Sequence, residues 1–295
     1  MKKFLITGAS GNIGLQLVND LHKKNYEIFP CYHNNKLEFE NSIYLDLKNE
    51  QEIKNIFSTI KPDVVIHLAA ITNVDFCESN PNQTSTVNVN ATKFLAELSE
   101  KYNSFFVYVS TDYVFDGVQG SYKETDEPNP INFYGKSKLE GERIVQNINK
   151  KWCIARTSTP FGNYNAEKTF PGWIIQELRK GNQLDILQDQ FTSPTYIPNL
   201  SEMLIEISEK ELTTIIHTAG VSRISRYDFA LQISKKFDLD ESLINPTIME
   251  NMNWVATRPK DSSLDVSLAS NLLDTKPLEI EASLDLFLNN FSNNC

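Results

Sequence analysis

Long apolar runs are missing from this sequence: no stretch of the 295 residues approaches the ~20 apolar residues that a membrane helix needs. A membrane-spanning role is therefore not expected. Met1-Lys2-Lys3-Phe4-Leu5-Ile6 opens like a secretory leader but turns polar and glycine-bearing before an adequate apolar region accumulates, so the chain is expected to stay in the cytoplasm. Basic residues are outnumbered, 28 Lys and Arg against 38 Asp and Glu, and the net charge of -10 argues against nucleic-acid binding. A local pocket for a nucleotide phosphate stays compatible with that balance. Cysteine is scarce. Cys31, Cys77, Cys153 and Cys295 are far apart and lack metal-ligand spacing, which reads as four reduced thiols, and no local carboxylate cluster calls for a metal. Internal repeats and low-complexity linkers are absent too, so nothing splits the chain into independent modules. The hydrophobic share of 40% is that of an ordinary globular protein with a large core.

What is present begins with a strand, a glycine turn and a helix. Lys3 to Ile6 is apolar and feeds Thr7-Gly8-Ala9-Ser10-Gly11-Asn12-Ile13-Gly14, after which Leu15, Leu17, Val18 and Leu21 continue as one helix face. This order suits a pyrophosphate: Gly8 permits the tight turn, Gly11 lets backbone amides approach the phosphates, and Gly14 allows helix and strand to pack closely. Gly8, Ser10, Gly11, Asn12, Ile13 and Gly14 are the candidate phosphate cradle. The second strand, about Glu27 to Cys31, ends without the Asp or Glu that usually holds an NAD ribose. His33 and Lys36 stand there instead, which points to NADPH, with NADH tolerated.

Alternation continues through a short strand within 41–47, a helix over 50–60, and Val64-Val65-Ile66-His67-Leu68-Ala69-Ala70, apolar on both faces as a central parallel strand should be. The small Ala69 and Ala70 leave room for a cofactor over the backbone. A helix is expected over 82–101, then the strand Phe105 to Val109, broken by Ser110-Thr111-Asp112. The next helix begins at about Pro130 and carries Tyr134 and Lys138, four residues apart and hence on one face. A phenol with an ammonium beside it is a proton donor, and the Thr111 hydroxyl leaves a strand end where open α/β sheets bind ligands. The intervening loop, 111–130, is long for a compact domain.

Ser110-Thr111-Asp112-Tyr113-Val114-Phe115-Asp116-Gly117, together with Tyr134-Gly135-Lys136-Ser137-Lys138 and the glycine turn, resembles the extended short-chain dehydrogenase/reductases, and within them the dTDP-4-dehydrorhamnose reductases. Arg156-Thr157-Ser158, Asp189-Gln190-Phe191-Thr192-Ser193-Pro194-Thr195, His217-Thr218-Ala219-Gly220 and Arg258-Pro259-Lys260-Asp261 extend the likeness over nearly the whole chain. The resemblance implies a doubly wound Rossmann sheet over 1–157, with later elements at roughly 196–220 returning to it, and a smaller substrate-binding part over 158–295. It implies reduction of a nucleotide-linked keto sugar, with Thr111, Tyr134 and Lys138 catalytic and the last two also touching the cofactor. Asp46 and Leu47 would meet the adenine, Ala69 and Ala70 the ribose, and Asn88 would support the cofactor site.

On the substrate side the candidates are Thr111, Asp112, Val114, Phe115 and Arg258. Asp112 reads equally as a loop-orienting residue, and Phe115 as pocket wall or loop packing. Arg258, with its planar fork, suits a substrate diphosphate better than a structural salt bridge. Two departures from the reductase pattern stand out: Thr159-Pro160-Phe161-Gly162 lacks a Trp usual after Arg-Thr-Ser, and Thr192 replaces a glycine. The regulatory subunit of methionine adenosyltransferase looks similar as well, so a partner-binding role without turnover is the competing class. A homodimer is compatible with either.

Overall fold

The computed structural model describes residues 1–162, 164 and 166–292. Apolar strands alternating with amphipathic helices build its first half. β1 (Lys3–Thr7), α1 (Asn12–Lys23), β2 (Glu27–Tyr32), β3 (Ile43–Tyr44), α2 (Glu50–Ile60) and β4 (Val64–His67) come first. α3 (Val74–Ser79), α4 (Pro81–Ser85) and α5 (Ala91–Lys101) then lead to β5 (Phe105–Thr111), α6 (Phe133–Ile148) and β6 (Trp152–Thr157). The second half holds β7 (Pro160–Phe161), α7 (Phe170–Arg179), β8 (Leu184–Leu187), β9 (Phe191–Thr192), β10 (Thr195–Tyr196) and α8 (Ile197–Lys210). It continues with β11 (Thr214–His217), β12 (Ile224–Ser225), α9 (Arg226–Lys236), β13 (Ile244–Thr247), α10 (Ser267–Leu272) and α11 (Ile280–Ser292).

Seven strands pair in the order β11-β6-β5-β4-β1-β2-β3, all parallel. β4 and β5 are buried along their whole length, as strands covered by helices on both faces must be. One core cluster joins α1 and α8 to one face of the sheet, and another joins α2, α5 and α6 to the opposite face. Strand order reverses between β1 and β4, which opens a crevice at their carboxyl ends. The pairings Thr7↔His67, His67↔Tyr108 and Thr111↔Thr157 align the strand ends, so the glycine turn, the β4 tail and Thr111 emerge on the same edge. The other strands form two-stranded pairs, around a separate cluster centred on Phe161, Phe229 and Phe287.

Several boundaries differ from the sequence reading. α6 starts at Phe133 and not near Pro130, because the Asn132 side-chain Oδ1 accepts the Gly135 amide at 2.9 Å and caps the helix there. The single helix expected over 82–101 is broken by a π turn, Thr86–Asn90, around Asn88. The third strand contracts to Ile43–Tyr44, and α11 had no counterpart in the expected elements. Cys31, Cys77 and Cys153 are free, buried thiols; Cys295 lies outside the described residues. Among the described residues no helix is long and apolar enough to cross a membrane, and no group of His, Cys, Asp and Glu is placed to hold a metal ion.

α6 is fixed to the sheet by a buried ion pair. Arg156 of β6 donates from Nε to Glu142 Oε1 at 2.9 Å and from Nη2 to Oε2 at 2.6 Å, while Ser110 of β5 donates to the same Oε1 at 2.5 Å. Both charged side chains are almost fully enclosed. Removing one partner strands the other charge, so Glu142→Gln is expected to cost ~3–5 kcal/mol in urea denaturation. A loss under about 1 kcal/mol would show that the pair is not holding the helix in place.

Candidate active site

A cavity of about 800 Å³ opens along the carboxyl ends of β1, β2 and β4. Gly8, Ser10, Gly11, Asn12, Ile13, Gly14, His33, Asp46, Leu47, Ala69 and Ala70 all line it; Lys36 does not. Its glycine turn fits a pyrophosphate on geometric grounds. Gly8 sits at φ +70°, and a Cβ there would come within 2.8 Å of the Ala69 amide. A Cβ on Gly14 would collide with the Gly8 carbonyl, so α1 approaches the turn as only glycine allows. α1 begins at a Gly11 with no side-chain cap and has no acidic residue in its first turn, which leaves its positive end to the cavity. Of the residues assigned to the cofactor, Asn88, Tyr134 and Lys138 do not line this cavity; for Asn88 the reason is its hydrogen bonds. Its amide is spent on Ile71, accepting from the nitrogen at 2.8 Å and donating to the oxygen at 3.0 Å, and it also donates to Ser137 Oγ at 3.0 Å. It therefore ties the β4 tail, which lines the cavity, to α6 without lining the cavity itself.

The chemistry-bearing residues gather one strand away. Thr111 ends β5, and its hydroxyl lies against the Tyr134 phenol on α6. Burial pushes that phenol above its ordinary range; the Thr111 hydroxyl opposes, while Asp112, Cys77 and Tyr113 push the same way as burial. Lys138 lies one helical turn on. Its ammonium donates to the Val109 carbonyl at 2.7 Å and sits 4.0 Å from the Tyr108 ring centre. Burial lowers its pKa to about 7, with Glu142 opposing. The expected pairing is thus met in part. Thr111 and Tyr134 are brought together, but the ammonium is held by the strand and does not pull the phenol towards neutrality.

The substrate-side candidates separate. Val114 and Phe115 are fully buried in a cluster with Tyr122, Leu139, Leu264 and Val266, and Phe115 stacks on Tyr122 at 4.2 Å. They are core residues because the turn after β5 folds inward under the loop; for Val114 this is contrary to its assignment as a substrate contact, and for Phe115 the loop-packing reading matches. Asp112 is also withdrawn from direct contact: its carboxylate accepts Thr111 at 2.9 Å, Ser158 at 2.8 Å and Ser262 at 2.6 Å. Of its two readings, the orienting one matches this geometry. Arg258 makes the salt bridge that its assignment had set aside, a two-point pair with Asp75 of α3 at 2.8 and 2.9 Å, and it lies 4.4 Å from the Trp254 ring centre.

A second cavity, about 250 Å³, is walled by Tyr113, Phe170, Trp173, Gln190, Trp254 and Arg258, and by a residue that had not been singled out, Arg226. Among the described residues no carboxylate pairs with its guanidinium, which leans over the Phe170 ring at 5.1 Å. Burial lowers its pKa, and Asp112 and Tyr113 act on it only at longer range. A local signal was available: Arg226 is the first residue of α9, where the helix dipole disfavours a cation. The guanidinium thus lines this cavity, beside aromatic walls, with no carboxylate partner among the described residues.

Comparison with known proteins places this architecture. The chain is 34% identical to the dTDP-4-dehydrorhamnose reductase of Aggregatibacter actinomycetemcomitans, over 96% of this chain and 97% of that protein. It is 31% identical to methionine adenosyltransferase 2 subunit beta of Xenopus tropicalis, over 90% of this chain and 81% of that one. Its fold overlays a dTDP-4-dehydrorhamnose reductase of Bacillus anthracis, solved in complex with NADP, with a TM-score of 0.89, covering 98% and 100% of the two chains at 30% identity. The model of the RmlD substrate binding domain matches residues 1–293, and the chain belongs to that family.

Proposed function

We propose that this chain is an NADPH-dependent reductase of the 4-keto group of a nucleotide-linked 6-deoxy sugar, converting dTDP-4-dehydrorhamnose to dTDP-L-rhamnose. The observation that carries the reading is the meeting of Thr111 and Tyr134 at the sheet edge that also bears the glycine-turn cavity. The reductase names of the relatives support it, as does the NADP of the Bacillus anthracis protein. When bound, the nicotinamide supplies a hydride. The chain's own residues do the rest. Gly11 and the first turn of α1 hold the pyrophosphate, and Ala69 and Ala70 leave the ribose its space. Lys138, charged or neutral near pH 7, serves the nicotinamide ribose, and its approach there requires it to release Val109.

Tyr134 is the general acid, and Thr111 the hydroxyl nearest the forming alkoxide. Asp46 spends Oδ1 on the Lys48 amide at 3.0 Å, so the rim near β2 offers His33 and Lys48 to a 2'-phosphate. The Arg226 cavity takes the substrate's diphosphate, and its aromatic walls take the base. Arg258 joins it at the cost of the Asp75 pair.

A second reading follows from the likeness to the adenosyltransferase subunit: a binding role without turnover. Oxidation of NADPH with the dTDP-linked 4-keto sugar decides between them, and a protein that binds dinucleotide but consumes none fits the second.

Within the first reading, Tyr134→Phe is expected to lower kcat by about three orders of magnitude, roughly 4 kcal/mol, while dinucleotide affinity by calorimetry stays near the parent value. Retained turnover would remove Tyr134 from the mechanism. Arg226→Met should raise the substrate KM about tenfold or more and leave thermal stability equal or higher, since an unpaired, partly buried charge is replaced by an apolar chain; an unchanged KM would dismiss the anion site. The KM for NADPH is expected to lie below that for NADH, and the opposite order would reassign the His33 rim.

A further inference from the structure

The hydroxyls around Asp112 can be counted hydrogen by hydrogen. Thr111 donates to Oδ1, and Ser158 and Ser262 donate to Oδ2. Having spent its hydrogen, Ser158 accepts from Thr192 at 2.7 Å and from the Ser193 amide at 3.3 Å, and Thr192 accepts in turn from Thr159 at 2.6 Å. At the other end Thr111 accepts from the Tyr113 amide at 3.2 Å, and its hydroxyl lies against the Tyr134 phenol in the sense that lowers the phenol's pKa, that of a Thr111 hydrogen aimed at the phenol oxygen. With Asp112 ionised, the five hydrogens of Thr111, Ser262, Ser158, Thr192 and Thr159 serve these five hydroxyl contacts, and all of them run inward to the carboxylate. In that state Thr111 has no hydrogen for the Tyr134 phenol or for a substrate oxygen. One more proton, on Oδ1, reverses the inner arm: Asp112 donates to Thr111, and the Thr111 hydrogen turns to the Tyr134 phenol.

The outer arm ends at Thr159, which is half-buried and held at φ +41°, a conformation that a β-branched residue rarely adopts. Its hydroxyl is kept on Thr192 in spite of that strain.

We infer that Asp112 stores the proton that the reduction consumes, acting through Thr111 on Tyr134, and that Ser158, Thr192 and Thr159 return it. This rests on the ketone-reductase reading. In the step, a hydride from the nicotinamide adds to the carbonyl carbon and the C=O π pair moves to oxygen. The Tyr134 O–H breaks and protonates that oxygen, the Thr111 proton moves to Tyr134, and the Asp112 proton moves to Thr111. Asp112 is left ionised and the inward pattern is restored. Reloading passes a water proton to Thr159, the Thr159 proton to Thr192, the Thr192 proton to Ser158 and the Ser158 proton to Oδ2. A half-turn of the carboxyl brings it to Oδ1. The ionisable groups facing Asp112 are Arg226 from α9, Tyr113 of the same turn and Tyr134 of α6; burial outweighs the Ser262, Ser158 and Thr111 hydrogen bonds and Arg226 and holds the carboxyl above its ordinary range.

A stored proton is present below the Asp112 pKa and lost above it, so kcat for reduction should fall about tenfold per pH unit above that pKa. Asp112→Asn should abolish this limb and lower kcat at least ~10-fold at saturating cofactor and substrate, with both KM values kept. In Thr192→Val the first turnover in stopped flow should match the parent while later turnovers slow about tenfold, and Thr192→Ser should restore them. Independently of turnover, infrared difference spectra should show a buried carboxylic acid titrating above the ordinary carboxylate range, absent in Asp112→Asn. A limb that survives in Asp112→Asn, a first turnover slowed as much as later ones in Thr192→Val, or no such infrared band would overturn the inference. A parent protein that shows the band yet reduces no keto sugar would refute the reductase reading and leave the proton store standing.

Discussion

The arrangement depends on how closely α6 lies against β5. A Cβ at Gly135 would run into the Tyr113 carbonyl, and one at Gly141 into the Tyr108 hydroxyl, so the helix rests on the strand at a separation that any side chain at these positions would forbid. Every contact that matters spans that gap. Tyr134 reaches Thr111, Lys138 reaches Val109, and Glu142 reaches Ser110 and Arg156, each one helical turn beyond the last. One stripe of a single helix thus meets the last three residues of β5 and, through Glu142, Arg156 of β6. The ion pair at its far end anchors Tyr134 at its near end.

What could be read from the sequence is what depends on local spacing. The glycine turn, the Tyr-Lys pair and the apolar β4 are legible because geometry within a strand, turn or helix follows from residues a few positions apart. The fold class follows from their alternation. Asn132 was equally local: an Asn followed three residues later by the amide it caps outweighed Pro130 as the helix start.

What escaped depends on distant partners. Arg258 finds Asp75, 183 residues away, and Asp112 finds Ser158 and Ser262, 46 and 150 residues away. No spacing rule reaches so far, so a residue type suited to a ligand was given one, although the folded chain itself supplies the partner. Arg226 is the converse case, a cation for which the fold offers no carboxylate among the described residues. The two departures from the reductase pattern also acquire a meaning together that neither has alone. Thr159 and Thr192 share a hydrogen bond at 2.6 Å, so the two changes are halves of one contact.

β11 gives the topology a further property. It joins the sheet beside β6, with Ile215 opposite Ile154 and His217 opposite Arg156, after the chain has already left to build β7 through β10. A polypeptide ending after β6 would expose that strand's ladder as a raw hydrogen-bonding margin, open to pairing with any other chain. The nucleotide-binding half is therefore not a detachable unit. Shuffling that exchanges one substrate-binding portion for another would have to leave α8 and β11 behind, and diversification of the ligand must proceed within the loops between them.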